Sequence, residues 1–164
     1  MVAKAVEALE RVLKAHGPGV LQSLAFDHYD KETHKEVRKG RLQKAGRGAA
    51  DDAHNTGRAL DIIIYAWEPP NFEKWSSERE IGYRLVDAFL RCQKDMAWNL
   101  MVYDQGEWDA EGIYKTRFAK PTAKPMDRIA FEHLTHIHIQ WPAKGEAKNN
   151  TDWEAILIAE LHNI

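Results

Sequence analysis

One passage decides the fold of this chain: Asp52-Ala53-His54-Asn55-Thr56-Gly57-Arg58-Ala59-Leu60-Asp61, followed at once by Ile62-Ile63-Ile64-Tyr65-Ala66. The first part is polar and contains glycine, as loops do. The second part is a short, continuous apolar run that is typical of a buried strand. The passage therefore predicts a loop that carries His54 and a strand that begins near Asp61.

A second passage, much later in the chain, supplies a partner: His133-Leu134-Thr135-His136-Ile137-His138-Ile139-Gln140-Trp141. Residues two apart in an extended strand point to the same side. His136 and His138 therefore share one face, and the isoleucines between them share the other. This alternation predicts a strand with a site on one face and a core on the other. The two passages together offer His, Asp and His, a zinc ligand set with a fourth position for water.

The order of these motifs resembles the LAS group of zinc peptidases, which includes the lysostaphin, D-alanyl-D-alanine carboxypeptidase and murein endopeptidase types. The resemblance rests on His54, Gly57, Ala59 and Asp61, followed downstream by His136-Ile137-His138. The additional His133 makes the late motif most similar to the penicillin-insensitive murein endopeptidase type. The similarity covers these two short motifs and their order.

The resemblance implies one Zn²⁺ per chain, bound by His54, Asp61 and His138. It also implies that His136 acts catalytically beside the metal, with His133 behind it. The implied activity is hydrolysis of amide bonds in cell-wall peptides by a metal-activated water, either as an endopeptidase or as a carboxypeptidase. The expected partner is therefore a peptidoglycan peptide.

A basic segment precedes the first motif and contains the candidates for substrate binding. In carboxypeptidase-type relatives an arginine upstream of the first motif helps to hold the substrate. The resemblance makes Arg41 and Arg47 the candidates here. Further along, Trp108, Tyr114, Arg117 and Phe118 are either walls of a substrate groove or ordinary packing residues.

Composition indicates one globular domain over residues 1–164. Hydrophobic residues make up 44% and charged residues 29% of the chain, which argues against disorder. The net charge of −2 gives no electrostatic reason to expect nucleic acid binding. Cys92 is the single cysteine, so an internal disulfide is excluded. We expect no membrane insertion, since no apolar stretch approaches the roughly 20 residues of a membrane span.

Residues 1–17 are amphipathic and charged, which predicts a helix rather than a signal peptide. If the substrate is the cell wall, the protein would reach the periplasm or wall by export or lysis. This expectation favours a phage lysin or an exported antibacterial effector. An effector would be accompanied by a cognate immunity or inhibitor protein.

The pattern of elements predicts an α+β fold in which helices pack on one face of a small antiparallel sheet. The resemblance implies that this fold is an LAS-type peptidase core. The first helix presents Val2, Val6, Leu9 and Leu13 at helical spacing. Capping boxes at Ser77-Glu78-Arg79-Glu80 and Thr151-Asp152-Trp153-Glu154 predict two later helices. Strands are expected at residues 20–26 and 98–103, and a hairpin or long loop at residues 107–124.

Two other functions fit the same residues. The triplets His54-Asn55-Thr56 and His133-Leu134-Thr135 resemble the paired motifs of 2H phosphoesterases, which use no metal. In that interpretation His54/Thr56 and His133/Thr135 are the working pairs, and Asp61 has no role. A non-catalytic zinc-binding interaction domain is the third interpretation, in which the ligands are kept without peptidase activity.

Overall fold

A computed structural model of the chain describes residues 3–22, 28–30, 35–37, 41–43, 53–143 and 152–164. The helices are α1 (Lys4–His16), α2 (Gly19–Gln22), α3 (Arg79–Arg91), α4 (Gln93–Met96), α5 (Pro125–Glu132) and α6 (Asp152–Leu161). The strands are β1 (His28–Asp30), β2 (Lys35–Val37), β3 (Leu42–Gln43), β4 (Ala59–Ile63), β5 (Leu100–Tyr103), β6 (Gly106–Asp109), β7 (Tyr114–Thr116) and β8 (His136–Gln140). The predicted α+β class is confirmed.

The main sheet is antiparallel throughout and has six strands in the order β3-β4-β8-β5-β6-β7. Strands β1 and β2 form a separate hairpin. The two strands predicted from the opening passages, β4 and β8, are neighbours at the centre of the main sheet. The sheet therefore brings together two stretches of sequence that are far apart along the chain.

Burial alternates along the central strands, as the sequence predicts. In β8, Ile137 and Ile139 are fully buried, whereas the histidines beside them are only partly buried. In β4, Leu60 and Ile62 are fully buried on the same side as those isoleucines. One face of the sheet consequently belongs to the core, and the opposite face is left for polar side chains.

Three helices cover the apolar face of the sheet. The inward residues of α1 include the predicted Leu9 and Leu13, and α1 packs against α6 and β4. Helix α3 also packs against α6 and buries Leu85 and Phe89. The arrangement confirms the expectation of helices packed on one face of a small antiparallel sheet. Among the helices of the described part of the chain, none has the length and apolar character needed to cross a bilayer.

Cys92 lies at the end of α3 and is fully buried in the core. Burial raises the pKa of its thiol to about 11. The thiol therefore stays protonated at neutral pH, which agrees with a packing role.

The strand predicted at residues 20–26 is wrong over its first part, because residues 19–22 form the short helix α2 instead. Residues 23–27 lie outside the described residues. A proline before the segment explains the helical turn, since the N–H of Leu21 donates to the carbonyl of Pro18. The hairpin expected at residues 107–124 is present as the pairing of β6 with β7.

The capping box predicted for α3 is also wrong. The helix begins at Arg79, one residue later than the box requires, and no side chain caps it. The carboxylate of Glu78 instead accepts two hydrogen bonds of 2.6 Å from Arg41 and one of 3.1 Å from the backbone N–H of Tyr65. The side chain of Glu78, the residue before the helix, thus forms a tertiary ion pair and does not cap the helix. The second predicted box begins at Thr151, which lies outside the described residues.

The turn between β5 and β6 supports the segment that leads into β8. Asp104 and Gln105 both have positive φ angles, 46° and 66°, as a two-residue hairpin of type I′ requires. Their N–H groups donate to the carbonyls of His133 and Glu132 at 3.1 and 2.9 Å. The end of α5 is thus fastened to this turn. Asp104 is in turn held by Trp67, Arg79 and Tyr83, each within 3.0 Å of its carboxylate.

Candidate metal centre

The polar face of the sheet aligns side chains from several strands. Asp61 on β4 lies directly opposite His138 on β8, and His138 lies opposite Val102 on β5. Val102 lies opposite Glu107 on β6, which in turn faces Lys115 on β7. Directly paired residues share a face, so these five residues form one line across the sheet, which we call the site row.

Three atoms of the predicted ligand set lie close to one another. Asp61 Oδ1 is 3.0 Å from His54 Nε2 and 2.9 Å from His138 Nδ1, and the two nitrogens are 3.1 Å apart. Bonds of about 2.0–2.1 Å to a tetrahedral zinc ion would place such atoms about 3.3 Å apart. The triangle therefore has the size of one face of a zinc coordination sphere. His54, Asp61 and His138 could hold a metal ion together.

His54 reaches the sheet from a tight turn that precedes β4. Gly57 has a φ of 72°, which a residue with a Cβ rarely adopts, and its N–H donates to the carbonyl of His54 at 3.0 Å. Arg58 then ties this turn to the end of β8. Its guanidinium donates to the carbonyl of Trp141 at 2.7 Å, and the N–H of Trp141 donates to the carbonyl of Arg58 at 2.9 Å. The glycine of the first motif is thus explained by backbone geometry.

Gln140 fixes the ring of His138 and was not predicted as a site residue. His138 Nε2 donates its hydrogen to Gln140 Oε1 at 3.0 Å. A neutral imidazole has only one N–H, so Nδ1 then presents a lone pair toward Asp61 and His54. The lone pairs of His138 Nδ1 and Asp61 Oδ1 then face each other at 2.9 Å, and they repel unless a proton or a metal ion lies between them. The donor set therefore fits a metal ion. The signal was present in the sequence, since Gln140 continues the alternation of His136 and His138.

Replacing Gln140 with leucine should weaken zinc binding by about 10–100-fold, because the His138 ring loses the acceptor that orients it. Gln140→Glu keeps an acceptor oxygen and should retain most of the affinity. Competition for zinc against a chromophoric chelator measures both variants. Parent-like affinity of Gln140→Leu would show that the contact does not support the ligand.

Asp61 is the acidic member of the cluster. Burial alone would raise its pKa, but the charge of His136 and the close contacts with His138 and His54 outweigh burial and hold the pKa of Asp61 well below its usual range. Its second oxygen, Oδ2, is 3.7 Å from His136 Nε2. His136 therefore lies beside the triangle rather than in it, on the face that the sequence predicted.

His133 turns toward the site because the backbone bends before β8. It caps α5 in the left-handed conformation, with a φ of 51°. Its ring lies 4.6 Å from the ring of His136 and 5.7 Å from that of His138. Burial and the two neighbouring histidines hold its pKa well below the usual value. Its Nδ1 donates to the carbonyl of Phe131 at 3.1 Å, so Nε2 remains as the basic nitrogen.

These side chains line one open cavity of about 300 Å³. Its wall contains the three candidate ligands, the two further histidines, and Ala53, Leu100, Val102, Arg117 and Gln140. Trp108 and Tyr114 pack against each other, and Trp108 belongs to the core. Of the four residues proposed as groove walls, the structure therefore brings Arg117 to the cavity.

Arg41, one of the two arginines predicted to bind substrate, is not among the described residues that line this cavity. Arg41 donates both of its terminal amines to Glu78 and one of them also to the carbonyl of Ile63. Arg47 lies outside the described residues, so its predicted contact stays a prediction. The guanidinium of Arg41 is used to fasten β4 to the start of α3.

The threonines of the two His-x-Thr triplets have local partners. Thr56 Oγ1 donates to the carbonyl of Ala53 at 3.2 Å and accepts from Arg58 Nε at 2.9 Å. Thr135 Oγ1 lies 3.0 Å from His136 Nδ1. Both hydroxyls therefore support the turn or the ring next to them, and the described cavity wall includes neither.

Comparison with known proteins gives no matching family model, no matching curated protein and no matching solved structure.

Proposed function

We propose that this protein is a zinc peptidase of the LAS group that hydrolyses amide bonds in peptidoglycan peptides. The observation that carries the proposal is the triangle of His54, Asp61 and His138 beside His136 on an open cavity. The two motifs lie on adjacent antiparallel strands of one sheet, which supports an LAS-type core. One metal ion per chain follows from the single triangle in the described part of the chain.

A carboxylate and two imidazoles suit zinc best, although manganese, cobalt or nickel would also fit, and a bound zinc ion would activate a water and polarise a carbonyl. The residues of the chain would do the rest. Asp61 supplies the negative charge of the ligand set, and His138 is oriented by Gln140. His136 is placed to take a proton from the attacking water and to pass it to the leaving amine. His133, kept neutral by its surroundings, would assist His136 from behind.

The metal-free phosphoesterase interpretation has less support. It needs the hydroxyls of Thr56 and Thr135 beside the histidines in the substrate cavity, whereas both have local hydrogen-bond partners. It also leaves the close contacts of Asp61 without a role. The zinc-binding interaction domain would share the triangle, and the open cavity with two more histidines favours catalysis over it. As a lysin or effector, the protein would meet its substrate after lysis or export.

Incubation of purified sacculi with the zinc-loaded protein tests the proposal. We expect soluble muropeptides whose masses are those of hydrolysed amide bonds, and no release after treatment with a chelator. The control is protein freed of zinc and then reloaded, which should regain activity. Cleavage of glycan with intact peptides would contradict the proposal, as would hydrolysis of cyclic phosphodiesters by metal-free protein.

A further inference from the structure

Arg117 is a cation of the cavity wall that neither the ligand set nor the proposed mechanism uses. It directly follows β7, and its N–H donates to the carbonyl of Gln105 at 2.7 Å. Its guanidinium packs 4.3 Å above the ring of Phe131 and donates Nε–H to the carbonyl of that residue at 2.7 Å. The side chain is only 25% exposed, so its position is set by the protein.

The donors of Arg117 are only partly used. Nη1 donates to Glu107 Oε2 at 2.7 Å, and Nε is occupied by the Phe131 carbonyl. The second terminal amine, Nη2, has no hydrogen-bond partner among the residues that the structure describes. Two hydrogen bonds therefore hold this arginine, it lines the cavity, and one terminal amine is unused. An arginine of this kind can recognise an anionic group.

The charge of Arg117 is not cancelled by its neighbour. Glu107 Oε1 lies 2.8 Å from Lys115 Nζ, so this one carboxylate serves two cations. Burial alone would raise the pKa of Glu107, but Lys115 and Arg117 hold it below its usual value. Two positive groups and one negative group leave one net positive charge. Lys115 is 74% exposed and is not part of the described cavity wall, so the charge toward the cavity comes from Arg117.

The site row relates Arg117 to the metal ligands. Glu107 lies two strands away from His138, and neighbouring strands are about 4.8 Å apart, so their backbones are separated by roughly 10 Å. Arg117 contacts Glu107 and lines the same cavity as His138. One extended residue spans about 3.5 Å. An anionic group on Arg117 would therefore lie within about three residues of a bond held at the ligand triangle.

We propose that Arg117 binds a free carboxylate of the peptide substrate, close to the scissile amide. The proposal rests on the function proposed above and adds its substrate class: peptides that carry an unamidated carboxyl group within about three residues of the bond. Cross-linked peptides whose carboxyl groups are amidated would be poor ligands. Arg117 is thus a specificity-determining residue, distinct from the predicted Arg41 and Arg47.

Binding measured apart from turnover tests this assignment. The probe is a cross-linked muropeptide dimer whose scissile amide is replaced by a reduced isostere, made with free carboxyl groups and with amidated ones. Calorimetry with the zinc-loaded protein should show about 10- to 100-fold tighter binding of the free-carboxyl form, the range of a charge-assisted hydrogen bond. Arg117→Gln should bind the two forms about equally.

Lys115→Gln is the matched control. It removes one positive charge from the same Glu107 carboxylate without touching the donors of Arg117, so the preference for the free-carboxyl form should persist. Equal binding of both forms by the unchanged protein would overturn the proposal, and this result needs no variant to fold. A preference that survives in Arg117→Gln would overturn it as well.

The outcomes separate this assignment from the proposed activity. Hydrolysis of unmodified dimers without preference between the two probes would remove the role of Arg117 and leave the peptidase standing. Preferential binding without hydrolysis of any muropeptide would keep the carboxylate site and remove the peptidase.

Discussion

Replacing Asp61 with alanine should abolish metal binding and, with it, turnover. The two remaining imidazoles carry no charge in their metal-binding form, and they cannot hold the ion against water. We expect a loss of affinity well beyond the roughly 10–100-fold that follows from a lost supporting contact such as that of Gln140. Zinc content after gel filtration and release of muropeptides from sacculi measure both effects.

Asp61→Asn separates charge from shape. The amide keeps the size of the side chain but brings no negative charge, so most of the metal should still be lost. Asp87→Ala is the matched control, because it removes an exposed carboxylate from α3 and should change neither zinc content nor activity. Stoichiometric zinc in Asp61→Ala, with circular dichroism showing an intact fold, would remove Asp61 from the ligand set.

His136→Ala should keep its zinc and lose about 10²–10⁴-fold in turnover, the contribution typical of a general acid or base. The geometry separates the two strand histidines. Nδ1 of His138 lies within the triangle, whereas His136 is 3.7 Å from the outer oxygen of Asp61. The measurement is zinc content together with the initial rate of muropeptide hydrolysis on the same preparation.

His138→Ala is the counterpart and should lose both zinc and activity. His133→Ala should keep zinc and lose part of the turnover, since the bend before β8 turns this ring against its two neighbours. The opposite result, metal-free His136→Ala with metal retained in His138→Ala, would make His136 the ligand.

The position of His138 in the ligand triangle was predictable because it follows from period two. Asp61 follows instead from the motif that it shares with His54. Alternation alone places His136 and His138 on the face opposite Ile137 and Ile139, and this is what the sheet shows. Burial on one face leaves the register little freedom, since a shift by one residue would put the isoleucines in the cavity. The helices over the core were predictable from a different period, because their apolar residues recur at helical spacing.

The rest of the site depends on contacts that the local pattern does not contain. His133 points inward because its carbonyl accepts a hydrogen bond from the turn at Asp104, which comes from another hairpin. Arg41 pairs with Glu78, which lies 37 positions further along the chain, and the start of α3 also differs from the predicted capping box. Arg117 reaches the cavity only through the pairing of β6 with β7. Each of these contacts joins residues that are far apart in the sequence, and the local sequence does not indicate which partner a side chain will have.

The placement of Asp61 opposite His138 has a consequence for how the chain acquires its structure. The two residues are 77 positions apart, so they come into contact only after a long loop has closed. The chain loses conformational entropy on closing that loop, before the contact can stabilise it. Non-local pairing of this kind is typically a slow part of folding. A nascent or unfolded chain therefore has no complete ligand set. An ion bound to the folded site would stabilise the β4–β8 pairing. At a free ion concentration of a hundred times the dissociation constant, it would add about 2.7 kcal/mol to the free energy of unfolding.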